Sequence, residues 1–119
     1  MSKILRALVV VLIFYTQALT AGTMSIGQYS KYTSGNEIQK NLVMLYINGV
    51  LDGFGTSNAD LSYNGRTKLF CAPANLDVDY RVAEGLADSA IASHHFDKDA
   101  NIGVVILLSL ERSFPCKDR

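Results

Sequence analysis

Tryptophan is absent from the 119-residue chain, and cysteine, histidine and proline occur only twice each. So few sulfur and imidazole ligands leave little material for a metal centre, and zinc-finger spacing is missing. An excess of charge of one sign is lacking too, since 11 Lys+Arg balance 11 Asp+Glu. Without a basic surface to neutralise phosphates, nucleic acid is excluded as a partner. There is no glycine-rich phosphate loop, no paired catalytic carboxylates, no internal repeat and no proline-rich linker, which leaves one small domain.

What the chain does have begins at its amino end. Lys3 and Arg6 precede an unbroken apolar run from Ala7 to Tyr15, and Leu19-Thr20-Ala21 ends in a small residue. This is the pattern of a secretory leader, residues 1–21, with cleavage expected after Ala21 or, alternatively, after Gly22. The run falls far short of the ~20 residues needed to span a bilayer. No cysteine lies near the cleavage point to carry a lipid. Much of the positive mean hydropathy, +0.16, belongs to this leader.

The remaining 22–119 segment carries 9 basic against 11 acidic residues, a net charge of −2. A domain of this size buries only about 60 to 65% of the surface its unfolded chain exposes, so its core needs a further constraint. An oxidising compartment and two thiols favour one disulfide between Cys71 and Cys116. It would close a loop of about 46 residues and contribute roughly 4 kcal/mol. The competing reading is a free nucleophilic thiol.

Ser34 and Glu37 fit a capping box, and Ile38, Leu42, Leu45 and Gly49 recur at helical spacing, which predicts a helix from about Asn36 to Phe54. Val43, Met44, Ile47, Val50 and Leu51 widen its apolar stripe and imply burial on more than one side. Gly53 and Gly55 are placed to end it. Thr56 to Arg66, with Ser57, Asn58, Asp60, Ser62 and Asn64-Gly65, is expected as a loop.

Asp77 is placed to cap a helix running to about Ser93, with Val78, Val82, Leu86 and Ala90 along one side. Asp77, Arg81, Glu84 and Asp88 occupy the other, either as a solvated face or as a partner surface. The segment Ile102 to Leu110 is apolar all round, so periodicity alone does not separate helix from buried strand. The polar residues Asp99 and Asn101 before it, and Glu111, Arg112 and Pro115 after it, favour helix. Such a helix must be enclosed by the rest of the fold or by a second subunit, and homodimerisation follows as an expectation. The fold class expected is an all-α, small compact helical bundle with one disulfide.

For chemistry, Cys71 with His94 or His95 and Asp97 or Asp99 supplies the inventory of a cysteine hydrolase, but no signature surrounds the thiol. His94, His95, Asp97 and Asp99 are possible zinc ligands, against the simpler reading of a polar inter-helix loop. Phe96, at the tip of that loop, either tucks into the core or anchors a partner. The expectation is a binder rather than a catalyst, with no cofactor and no metal.

Three segments carry a resemblance: Tyr46-Ile47-Asn48-Gly49-Val50-Leu51-Asp52-Gly53, Leu69-Phe70-Cys71-Ala72-Pro73 and Ser113-Phe114-Pro115-Cys116. In this order, behind a leader, they resemble the Rap/Tai family of periplasmic immunity proteins. Members of that family protect bacteria from peptidoglycan amidases delivered by the type VI secretion system. The resemblance extends from about Ser34 to Cys116. It implies an all-helical homodimer in the periplasm, with Cys71 and Cys116 matching the family's paired cysteines. It also implies that the protein does no chemistry itself. It would instead occupy the amidase cleft in which an effector cysteine and histidine cut the γ-D-glutamyl to diaminopimelate bond.

Those motifs fall on fold-defining positions and do not mark the contact surface. A concave site is blocked by a protruding element, so the 94–99 loop is chosen on physical grounds. His94, His95, Phe96 and Asp97 are expected to enter the cleft while Arg81, Glu84 and Asp88 lie along its rim. The alternative is a periplasmic acid-stress chaperone that opens to hold unfolded clients. Against it stands a modest charge swing, with 11 acidic residues in the whole chain. A structural subunit of an envelope complex fits the composition but has no motif in its favour.

Overall fold

A computed structural model describes residues 22–117, so the leader and its cleavage point lie outside the described residues. Within them the chain forms four α-helices, α1 (Ile26–Thr33), α2 (Glu37–Tyr63), α3 (Tyr80–Ser93) and α4 (Ile102–Ser113). No strand is present among the described residues, and a single antiparallel bridge joins Ser25 to Asn101. The all-helical class and the Cys71–Cys116 disulfide are as expected, the latter spanning a sequence separation of 45.

Helix α1 was not anticipated, although Ser25 and Gln28 form a full capping box at its start. Eight residues are too few to hold a helix in water without tertiary support. The support comes from across the chain: Ile26 N–H donates to the Ala100 carbonyl and Gly27 N–H to that of Lys98, each at 2.9 Å. Two otherwise unpaired first-turn donors are thereby satisfied. Ile26 and Tyr29 drive the inner face of α1 into the core.

Helix α2 corrects two expectations. Its capping box is Asn36 with Gln39, while Ser34 closes α1, its hydroxyl donating to the Ser30 carbonyl at 2.9 Å. The helix also runs straight through Gly53 and Gly55, so most of the expected 56–66 loop is helical. A glycine inside a helix costs only about 1 kcal/mol, which the packing of Phe54 and the two bonds of Asn58 to the connector offset. The true stop is Asn64-Gly65. Gly65 takes φ 64°, with Gly65 N–H bonded to the Ser62 carbonyl and Arg66 N–H to that of Leu61, the two bonds of a Schellman end.

Helix α3 begins two residues later than expected, because Asp79 caps it by accepting from the Arg81 and Val82 amides. Its buried line is Ala83 and Ala87, with Val82, Leu86 and Ala90 half-buried beside them. Small residues there allow the close approach of α4, the helix with which α3 packs most extensively. The last apolar segment is indeed a helix. Ile102, Val105, Ile106 and Leu110 point into the core, whereas Val104 and Leu108 remain 54% and 38% exposed.

The core is therefore one cluster in which α4 lies against α2 and α3. Ile47, Ile102, Ile106 and Leu110 are fully enclosed, each contributing about 1.5 to 3 kcal/mol. The expected burial of α2 on more than one side is not met within this chain. Val43 and Ile47 face inward, but Ile38, Leu42 and Leu45 stay 72%, 49% and 64% exposed.

The connector between α2 and α3 is pinned twice. Asn58 uses both ends of its amide, donating to the Phe70 carbonyl at 3.1 Å and accepting from Leu69 N–H at 2.7 Å. Cys71 N–H donates to the Phe114 carbonyl at 2.7 Å beside the disulfide.

Candidate functional site

The seven residues chosen as a contact surface occupy α3 and the loop that follows it. Arg81 stands exposed at the start of α3, its guanidinium 5.6 Å from the Tyr80 ring centre and its Nε donating to the Tyr80 hydroxyl at 3.3 Å. Glu84 is half-buried one turn on. Burial, and then the Asp88 carboxylate a further turn away, hold its carboxyl above the ordinary carboxylate range. Asp88 is exposed, yet it accepts from the Tyr29 hydroxyl at 2.7 Å. Burial, followed by this bond, keeps the Tyr29 phenol well above its usual pKa, so it remains a donor.

The loop runs along α4 from its last turn back to its first. His94 ends α3, donating its N–H to the Ala90 carbonyl, and its Nε2 lies 3.3 Å from an Arg112 nitrogen. His95 is exposed. Phe96 is half-buried against the core and 5.9 Å from the His94 ring, so of the two roles open to it the fold favours tucking in. Asp97 accepts from Asp99 N–H at 2.9 Å and its carbonyl accepts from Ala100 N–H at 2.9 Å. Asn101 then caps α4, accepting from Gly103 N–H at 2.7 Å.

The result is an exposed polar crest, His94, His95 and Asp97, on a loop fastened to both α1 and α4. Such a crest presents charge and hydrogen-bonding groups at low ordering cost. The hydrolase inventory does not come together, because Cys71 and Cys116 are joined and no free thiol remains among the described residues. Nor is any group of three or more His, Cys, Asp or Glu placed to hold a metal ion among the described residues.

Two concavities flank this surface. A polar one of about 280 Å³ lies between α1, α2 and α3, lined by Thr33, Lys40, Asn41, Met44, Tyr80 and Glu84. A shallow apolar groove of about 390 Å³ runs between α2 and α4, lined by Tyr46, Gly49, Val50, Phe54, Val104 and Leu107. Leu42 and Leu45, earlier on α2, are exposed as well. The sequence contained the signal for that face, since the apolar stripe of α2 is too wide for one packing partner, but it did not show which side would stay open. No described helix is long and apolar enough to cross a membrane.

No family model matches the chain, and no match is found among curated proteins or solved structures.

Proposed function

We propose that this chain is a periplasmic immunity protein that binds and blocks the substrate cleft of a type VI secreted peptidoglycan amidase. In this reading it catalyses nothing and acts as a homodimer. The observation that carries it is the fastened, exposed crest of the 94–99 loop, a convex polar element suited to entering a concave site. The helical fold and the joined Cys71 and Cys116 agree with what the three-motif resemblance implies. His94, His95 and Asp97 are the residues proposed to enter the cleft, with Arg81, Glu84 and Asp88 along the rim. Phe96 supports the loop from below.

The homodimer rests on the open apolar side. Ile38, Leu42 and Leu45 of α2 and Val104 and Leu108 of α4 are exposed, and Val104 lines the apolar groove between the two helices. A second copy would cover it by a symmetric contact.

That same face also suits an acid-stress chaperone. Glu84 argues the other way, because its raised carboxyl is relieved, not strained, by protonation. The test is direct. The leaderless protein is added in rising ratio to the product of the neighbouring gene acting on peptidoglycan, and released stem peptides are measured. Complete inhibition near one to one is expected. Undiminished cleavage at tenfold excess would remove the immunity reading and turn attention to client binding at low pH.

A further inference from the structure

The carboxyl end of α2 carries the most exposed large hydrophobic side chain of the described residues. Tyr63 is 91% exposed, and residues 62–68 are all exposed. An aromatic left in water on a mobile tail would mean little, but this one is rigidly mounted. The Asn64 amide donates to the Asp60 carbonyl at 2.9 Å and to its carboxylate at 3.1 Å. Gly65 at φ 64° completes the Schellman turn, and three residues after Arg66 the Asn58 amide holds the returning connector at Leu69. The tip is thus held between two fixed points.

Its charge is also set apart. Between Asp60 and Asp77 the charged residues are Arg66 and Lys68, both cationic, in a 22–119 segment that is acidic as a whole. Tyrosine and arginine are both among the residue types enriched at the energetic centres of protein interfaces. A tip ordered before contact loses little entropy on binding. The tip also belongs to the same end of the bundle as His94. Arg112 reaches His94 while Phe114, two residues on, holds Cys71 of the connector, so both are tied to the last turn of α4.

We infer that the Tyr63–Arg66 tip is a second docking element for a protein partner, inserting an aromatic ring and a guanidinium into an apolar slot rimmed by carboxylates. This rests on the immunity reading, in which the 94–99 crest fills the amidase cleft and the tip grips the surface beside it.

The test uses protein purified after expression of the full-length gene, titrated calorimetrically with the neighbouring gene's amidase. Tyr63→Ala and Arg66→Glu are compared with wild type, with thermal melts as the fold control. Each variant should weaken binding at least tenfold while melting with wild type. The salt dependence should also be shallower for Arg66→Glu. If wild type binds tightly and both variants bind within twofold of it, the tip plays no part and the inference is overturned while the immunity reading stands. If wild type does not bind, both fall. Loss of cosedimentation with isolated peptidoglycan, with amidase binding intact, would overturn it in favour of a cell-wall contact.

Discussion

The Tyr29 hydroxyl donates to the Asp88 carboxylate at 2.7 Å across 59 positions of sequence, tying α1 to α3 at the edge of the core. The ring itself is 1% exposed. Hydroxyl and ring therefore make separable contributions. Tyr29→Phe removes one bond to an acceptor that water can re-solvate and should cost about 1 kcal/mol. Tyr29→Ala empties the site and should cost about 3 to 5 kcal/mol. Urea denaturation of both variants measures the difference.

Glu84 supplies a pH dependence whose sign is fixed by its raised carboxyl. The folded chain binds its proton more readily than the unfolded chain, so stability falls as pH rises from the ordinary 4.5 through the folded value. Glu84→Gln should therefore be more stable than wild type at neutral pH. The advantage should close as pH drops below 4.5. Chemical denaturation at several pH values distinguishes this from a pH-independent effect.

The disulfide closes a span of 45 residues. Its removal by Cys71→Ser with Cys116→Ser should cost roughly 4 kcal/mol, a large part of the stability of a domain this small. Thermal melts with and without reductant should show the same loss in wild type and no reductant effect in the variant.

Asn58 is a separate clamp on the same connector. Asn58→Ala frees the Leu69 amide and the carbonyl of buried Phe70, at an expected cost of about 2 kcal/mol. Hydrogen exchange at Leu69 should accelerate by more than the global loss of stability accounts for. Retained protection would mean that the disulfide alone holds the connector.

On the crest, Phe96→Ala would confuse packing with binding, because the ring lies against the core. His95→Ala combined with Asp97→Asn avoids this, since an amide side chain can still accept from Asp99 N–H. This double variant should weaken amidase inhibition at least tenfold, about 1.4 kcal/mol. Its melt should stay unchanged.

Much of the fold was legible where one local rule decided the matter. The apolar stripes placed α2, α3 and α4, and two cysteines behind a leader-like amino end pointed to their pairing. The rule failed where distant residues decide. Ser25 and Gln28 are a readable capping box, but an eight-residue helix forms only because Lys98 and Ala100 offer carbonyls to it. Gly53 and Gly55 look like a stop until Phe54, packed on the core, and Asn58, bonded to the connector, carry the helix past them. The crest was legible as a polar inter-helix loop, whereas the Tyr29 bond to Asp88 and the approach of Arg112 to His94 link residues that no local pattern joins.

Ile26 N–H reaches Ala100 and Ile102 N–H reaches Met24, so the first turn of the domain takes its partners from near its end. A ribosome delivers the amino end first. Until Lys98 and Ala100 have emerged, the first-turn amides of α1 lack their carbonyl partners, and until Cys116 follows, the bridge to Cys71 cannot close. The architecture thus defers completion of the fold until its last residues are present, so that its two ends lock together in one late step.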